Sequence, residues 1–170
     1  MRLVEVVEYD PNWKDEFEKI KGELLNVLDG YVIAIEHVGS TSVELLAAKP
    51  IIDIDIVMKD YNSFELIKGK LSEIGYSYEG DLGIKDRHTF KYSDKPHLMN
   101  HHLYCCPEYS EELKRHISFR DYLITHPKDV KWYSSEKLRI AEYYPFDIDK
   151  YMIAKAPVVA EILRKSETQQ

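Results

Sequence analysis

The stretch from Ile35 to Met58, IEHVGSTSVELLAAKPIIDIDIVM, decides the fold of this 170-residue chain. Two apolar strands flank a turn of small residues, and we predict that the Leu/Ala-rich segment over residues 43–48 forms a short helix. The second strand carries Asp53 and Asp55 among isoleucines. Carboxylates are almost never buried unless they are paired or bind a metal. A cation or a set of hydrogen-bond donors must therefore hold these two.

Asp53 and Asp55 are predicted to form a metal site. Side chains two residues apart in a strand point to the same face and stand about 6.5–7 Å apart. Two carboxylates placed in this way can hold one cation, and oxygen ligands on a rigid strand suit Mg²⁺ or Mn²⁺. The structural alternative is that the carboxylates bond to the backbone or pair with Arg87 or Lys49.

The turn formed by Gly39, Ser40, Thr41 and Ser42 is predicted to bind phosphate. Glycine lets a phosphate approach the backbone closely, and the hydroxyl and N–H groups of the following residues can donate hydrogen bonds to it. The N-terminus of the helix predicted next would add positive potential. The predicted phosphate and metal ligands are thus separated by one short segment of the chain.

Two segments of this stretch resemble the GrpB family, which belongs to the nucleotidyltransferase superfamily. They are HVGSTS at residues 37–42 and AAKPIIDID at residues 47–55. In that superfamily a Gly-Ser turn opens a helix and precedes a strand bearing Asp-x-Asp or Asp-x-Glu. The resemblance implies a nucleotidyltransferase-like fold, and it makes Lys49 a candidate phosphate ligand, the alternative being a solvated lysine. The family usually has Pro-Gly where this chain has Glu44-Leu45, so the loop is expected to differ there.

Two later strands offer further candidate ligands. The strand predicted over residues 87–92 places Arg87 and Lys91 on one face, where they either contact the ligand or form a solvated charged surface. Superfamily catalysts commonly place a third carboxylate on a strand next to the Asp-x-Asp strand. The strand predicted over residues 98–106 offers His102 instead. His102 could ligate a metal or act as a general base, or it could pair with a neighbouring carboxylate for structural reasons.

Three other histidines, His37, His97 and His101, have structural or ligand-binding interpretations. His37, beside the turn, either contacts phosphate and orders the loop or is hydrogen-bonded at the end of its strand. His101 should point away from His102 and be structural. A separate hypothesis makes the chain a histidine-rich metal-binding protein centred on His97, His101 and His102.

Composition excludes several classes of protein. With 44% hydrophobic and 31% charged residues the chain is typical of a globular protein. It lacks an apolar run near the roughly 20 residues of a membrane helix, and we expect a cytoplasmic protein with no membrane partner. A net charge of −7 disfavours nonspecific nucleic-acid binding. The only cysteines, Cys105 and Cys106, are sequence neighbours and are expected to be packed thiols.

We predict an α+β fold in which a nucleotidyltransferase-like mixed sheet is flanked by helices and followed by C-terminal helices. One domain should span residues 1–165, with a disordered tail over residues 166–170. Asn62 and Glu65 look like a capping box for one helix. Pro157 should kink or divide the last helix.

The function that these features predict is metal-dependent nucleotidyl transfer from a nucleoside triphosphate to a small-molecule acceptor. Asp53 and Asp55 would bind Mg²⁺ (or Mn²⁺), and the Gly-Ser turn would hold the phosphates. The alternative is a non-catalytic module that binds a nucleotide or a phosphometabolite with the same fold. The sequence leaves the acceptor and the oligomeric state open.

Overall fold

The alternating apolar stretches form one mixed β-sheet. The computed structural model describes residues 1–169. Within them the strands are β1 (Ala34–Val38), β2 (Ile52–Met58), β3 (Ser77–Gly80), β4 (His88–Lys91) and β5 (His101–Pro107). The spatial order is β1-β2-β5-β4-β3, in which β2 and β5 are parallel and the other neighbours are antiparallel. The predicted α+β class with a mixed sheet is confirmed.

Five α-helices accompany the sheet in the described residues. They are α1 (Asn12–Leu28), α2 (Phe64–Glu73), α3 (Glu111–Ile124), α4 (Pro127–Tyr143) and α5 (Ile148–Glu167). None of these helices is both long enough and apolar enough to span a membrane.

The chain packs as two compact units. One, here called the sheet unit, comprises Asn12–Val38 and Ile52–Lys114. The other, here called the helical unit, comprises Met1–Pro11, Gly39–Ile51 and the residues from Arg115 onward. The prediction that residues 1–165 form one domain stays a prediction.

In the sheet unit, one face of the sheet is buried by a helix. The apolar stripe of α1, with Trp13, Phe17, Ile20, Leu24 and Leu28, is buried as the helical spacing predicts. His37 of β1 is paired with Ile54 of β2 and stacks on Phe17, with ring centroids 4.6 Å apart. The face that carries Ile54 is therefore the one that α1 covers.

In the helical unit, the three C-terminal helices share a core. Its buried members include Tyr122, Leu123, Val130, Tyr133, Ile140, Tyr151, Val158 and Ile162. Val4, Val43 and Leu46 join this core from the earlier segments of the unit. Val7 and Ala48 of this unit form an isolated antiparallel bridge.

The predicted helix over residues 43–48 is wrong. A 3₁₀ turn spans Ser40–Ser42, and the chain then continues as irregular turns. Leu45 has φ 66°, which lies in the left-handed region and cannot continue a right-handed helix. No helix N-terminus therefore follows the turn, and the positive potential expected from one is absent from this segment.

Two details of the helix ends also differ from the predictions. Asp60, not Asn62, supplies the cap before α2, because its carboxylate accepts a hydrogen bond from the backbone N–H of Asn62 at 2.8 Å. Helix α5 continues through Pro157 without division and ends at Glu167, so residues 166 and 167 are helical where a disordered tail was predicted. Gln170, the last residue of that predicted tail, lies outside the described residues.

Candidate functional site

Polar side chains line one face of the sheet unit. Asp53 is in register with His102, and Asp55 is in register with Tyr104 of the parallel strand β5. On the other side of β2, Asp55 is paired with Glu36. Residues in register on neighbouring strands point to the same face. The face opposite the one that α1 covers therefore presents three carboxylates, one imidazole and one phenol.

Asp53 and His102 form a hydrogen-bonded pair. His102 Nδ1 lies 2.9 Å from Asp53 Oδ1. The side chains are 31% and 55% exposed, so solvent or a ligand can reach both. The contact is the carboxylate pairing that the structural interpretation predicted, and it also fixes the orientation of the imidazole. With Nδ1 bonded to Asp53, Nε2 is the ring nitrogen left to bind a metal or take a proton.

Asp55 is more deeply placed than Asp53. Its side chain is fully buried, whereas carboxylates are rarely found without solvent exposure. Its charge is felt by the groups around it. Burial first, and then the negative charge of Asp53, raises the pKa of Tyr104 to about 12, and Asp55 contributes in the same direction. Both carboxylates thus oppose ionisation of Tyr104, and Arg87 acts in the other direction.

Of the two predicted basic ligands, one lies on this face beside the carboxylates. The guanidinium of Arg87 lies 4.6 Å from the centre of the Tyr104 ring. Lys91, the last residue of β4, is exposed and forms an ion pair with Glu79 of β3, with Nζ and Oε1 3.5 Å apart. The structure therefore brings Arg87 to the face and gives Lys91 the geometry of a solvated ion pair.

The histidines predicted as a metal centre do not converge. His101 is buried on the other face, where its Nε2 lies 2.7 Å from the hydroxyl of Tyr76. His97 Nε2 lies 2.7 Å from Glu23 Oε2. Among residues 1–169, no group of three or more His, Cys, Asp or Glu side chains is placed to hold a metal ion. The histidine-rich metal centre is therefore not assembled, and a cation on the carboxylate face would have at most two such ligands.

The predicted phosphate-binding turn lies in the helical unit. Gly39 has φ 72°, a conformation that L side chains rarely adopt. Ser42 Oγ donates to the Gly39 carbonyl oxygen at 2.5 Å, and Thr41 is buried. These two hydroxyls therefore shape the turn, which leaves Ser40 as the hydroxyl with a charged partner.

That partner is Lys137, which the sequence analysis missed. Its Nζ donates to Ser40 Oγ at 2.6 Å and to the Ala47 carbonyl oxygen at 2.8 Å. Lys137 is only 3% exposed, and its ammonium lies 4.5 Å from the centre of the Tyr133 ring. The signal was available, because Lys137 falls on the buried stripe of α4 with Tyr133 and Ile140, where a lysine is unusual.

Lys49, the other lysine assigned to phosphate, is half-buried in the same unit. Its Nζ lies 5.3 Å from the centre of the Tyr151 ring. The helical unit thus holds the turn of small residues and two lysines. Lys137 contacts the turn, and Lys49 follows it closely in the sequence.

A known family matches almost the whole chain. The sequence profile described as GrpB protein matches residues 3–165. This chain belongs to the GrpB family. A relative, the glutamate-rich protein GrpB of Alkalihalophilus pseudofirmus, is 35% identical over 163 residues, which cover 94% of each chain. The UPF0157 protein YqkA of Bacillus subtilis is 33% identical over 154 residues, which cover 91% of this chain and 44% of YqkA. The chain therefore spans less than half the length of YqkA.

Solved structures extend the comparison beyond the GrpB family. The conserved protein GrpB from Enterococcus faecalis is similar with a TM-score of 0.79 at 34% identity, covering 95% of this chain and 98% of that chain. The Cid1 poly(U) polymerase with bound MgGTP is similar with a TM-score of 0.52 at 10% identity, covering 81% of this chain and 43% of that chain. The second likeness concerns the fold alone. It confirms the predicted nucleotidyltransferase-like fold.

Proposed function

We propose that this GrpB protein is a metal-dependent nucleotidyltransferase that joins a nucleoside monophosphate group to a small-molecule acceptor. One observation supports this proposal above the others: Asp53 and Asp55 project with His102 from one face of a sheet in a nucleotidyltransferase-like fold. Such a set of oxygen and nitrogen donors has no evident role in packing a core.

The donor set fits a hard divalent cation. Mg²⁺ is usually bound by one or two carboxylates and completes its octahedron with water and phosphate oxygens. Asp53 and Asp55 supply that number of carboxylates, and Mn²⁺ accepts the same ligands. Mg²⁺ bound there would draw negative charge from the α-phosphate of a nucleotide.

The protein's own residues would supply binding and proton transfer. Ser40 and the backbone N–H groups of its turn would hold the phosphates, with positive charge from Lys137, whose Nζ donates to Ser40. Arg87, which lies over the Tyr104 ring, would contact a ligand on the carboxylate face. His102 Nε2 would take the proton of the acceptor hydroxyl as its oxygen bonds to the α-phosphorus and pyrophosphate leaves.

The alternative function is a non-catalytic module that binds a nucleotide or a phosphometabolite. One observation favours it: the described residues place no group of three acidic or histidine side chains around a metal position. Binding requires the phosphate ligands and at most one cation, whereas transfer also requires an activated acceptor.

Thermal unfolding of Asp53→Asn and Asp55→Asn, with and without Mg²⁺ and nucleotides, tests the site. We expect Mg²⁺ with a nucleoside triphosphate to raise the Tm of the parent chain, and each variant to lose that rise. Without ligand the variants should be as stable as the parent or slightly more so, because repulsion between two carboxylates is relieved. Asp94→Asn, at an exposed position, is the matched control.

Two outcomes would contradict parts of this proposal. If both variants lose about 1–3 kcal/mol without ligand and the parent shows no nucleotide-induced rise, the carboxylates are structural. If the parent binds nucleotide but releases no pyrophosphate with any acceptor in a metabolite library, the non-catalytic module is correct.

A further inference from the structure

Two lysines meet one buried tyrosine in the helical unit. The Nζ atoms of Lys49 and Lys155 lie 5.3 and 5.4 Å from the centre of the Tyr151 ring. Lys155 reaches the ring from the next turn of α5, whereas Lys49 comes from a segment about a hundred residues earlier in the chain. Both lysines are half-buried, so their ammonium groups remain within reach of a ligand. Tertiary folding therefore concentrates two positive charges around one aromatic ring.

Tyr151 itself has an unsatisfied hydroxyl. The side chain is fully buried, and its Oη has no hydrogen-bond partner among residues 1–169. Burial raises the pKa of Tyr151 to about 12, so the hydroxyl keeps its proton at neutral pH. A buried hydroxyl without a hydrogen-bond partner destabilises the folded chain. This group is a donor that lacks an acceptor, next to two cations.

The same core links this cluster to the turn. Burial first, and then the proximity of Tyr151, raises the pKa of Tyr133, and Tyr133 hydrogen-bonds Ser40, which Lys137 also contacts. Lys137 contacts Tyr133 and Ser40, whereas Lys49 and Lys155 lie around Tyr151, a different ring of the same core.

We propose that Lys49, Tyr151 and Lys155 form a second anion subsite, which binds a phosphate or carboxylate group on the acceptor. This inference rests on the proposed nucleotidyl transfer, and it makes the acceptor an anionic small molecule. The lysines supply charge, and the Tyr151 hydroxyl donates a hydrogen bond to the anion.

Thermal shifts with simple anions test the subsite. Inorganic phosphate and malonate, each at constant ionic strength, represent the two anion classes, and glucose is the neutral comparison. Each probe is titrated into the parent alone and into the parent saturated with Mg²⁺ and ATP. We expect one of the anions to raise the Tm in both conditions, and glucose to raise it in neither.

Three variants assign the effect to residues. Lys155→Gln and Tyr151→Phe should lower the affinity for the anion at least tenfold. The rise in Tm caused by Mg²⁺ and ATP should persist in both variants. Tyr151→Phe should also make the unliganded chain more stable, because it removes the unsatisfied hydroxyl. Lys150 is an exposed lysine on the same helix and pairs with Asp147. The control variant Lys150→Gln should bind the anion with the affinity of the parent.

The other possible results either overturn the anion subsite or support it. It is overturned if neither anion shifts the parent, if saturation with Mg²⁺ and ATP abolishes the anion shift, or if Lys155→Gln loses the shift caused by Mg²⁺ and ATP as well. An anion shift that Lys155→Gln removes, in a parent that shows no nucleotide shift, supports the subsite and overturns nucleotidyl transfer.

Discussion

Leu45 occupies a backbone conformation that favours glycine. Its φ is 66°, and its side chain is 75% exposed, so no core packing compensates for the conformation. The left-handed region costs an L residue about 1–2 kcal/mol. The GrpB pattern usually has Gly where this chain has Leu45, and glycine adopts this conformation without a steric penalty.

We therefore expect Leu45→Gly to stabilise the chain by about 1 kcal/mol, after allowing for the extra entropy that glycine gives the unfolded chain. Leu45→Ala is the control, because it removes the exposed side chain but keeps a Cβ in the left-handed region. Urea unfolding measures both. Equal stabilisation by the two variants would show that exposure of leucine, not backbone strain, is responsible.

His101 should make stability depend on pH. Its Nδ1 lies 2.8 Å from the Met99 carbonyl oxygen and its Nε2 lies 2.7 Å from the Tyr76 hydroxyl, so the neutral ring donates through Nδ1 and accepts through Nε2. Burial lowers the pKa of His101 below the ordinary value of 6.5. The unfolded chain therefore binds this proton first as the pH falls.

The contribution of His101 to stability is complete above about pH 6.5 and declines as the pH falls from 6.5 towards the lowered pKa. We expect the unfolding free energy of the parent to drop between pH 7.5 and 5.5, and the drop to be smaller in His101→Gln. His97→Gln, which changes an exposed histidine, should keep the drop. An unchanged pH dependence in His101→Gln would contradict this assignment.

The positions and contacts of individual site residues could be predicted from the sequence to different extents. The common face of Asp53 and Asp55 follows from strand periodicity, a local property. The pairing of His102 with Asp53 needs the parallel register of β2 and β5, which local pattern does not give. Glu36 joins the carboxylate face only through its register with Asp55. Lys137 meets Ser40 across 97 residues, so its role could be suspected from its buried position but not assigned.

At the scale of elements, helix α4 holds the irregular loop that follows the turn. Ser134 Oγ accepts a hydrogen bond from the backbone N–H of Ala47 at 2.9 Å, and Lys137 donates to the carbonyl oxygen of the same residue. Ala47 is fully buried, so both of its backbone groups depend on these side chains. The predicted helix over residues 43–48 failed because contacts distant in sequence, not local propensity, satisfy this backbone.

Ser134→Ala should therefore destabilise the chain by about 1–3 kcal/mol, the cost of leaving a buried N–H without an acceptor. Ser135→Ala is the matched control, because Ser135 is exposed and bonds only within its own helix, to the Lys131 carbonyl oxygen at 3.0 Å. It should change stability by less than about 0.5 kcal/mol. Chemical denaturation compares them, and equal losses in the two variants would contradict the role given to Ser134.

At the scale of the whole molecule, the fold class was predictable because most elements are amphipathic with a clear period. The strand that bears Asp53 and Asp55 and the strands predicted over residues 87–92 and 98–106 are present as β2, β4 and β5. The division into two compact units was not predictable, because the helical unit collects three separate segments of the chain. Only long-range packing defines such a unit.

The net charge of the chain disfavours a polynucleotide as the acceptor. The chain has 23 Lys and Arg residues against 30 Asp and Glu residues, and the difference gives the net charge of −7. Nonspecific binding to a polynucleotide depends on releasing counterions from many phosphates, which requires an excess of basic side chains. Lys49, Lys137 and Lys155, the lysines of the proposed phosphate and anion sites, suit one small anion better than a polyanion.

We expect a labelled single-stranded RNA or DNA of about 20 nucleotides to bind more weakly than about 10⁻⁴ M at physiological salt, the weak end of nonspecific affinities. Fluorescence anisotropy with Mg²⁺, at several salt concentrations, measures the affinity and its salt dependence. Gel analysis after addition of each nucleoside triphosphate should show no extension of the strand. Micromolar affinity that falls steeply with salt, or extension of the strand by any nucleotide, would contradict a small-molecule acceptor and point to a polynucleotide substrate.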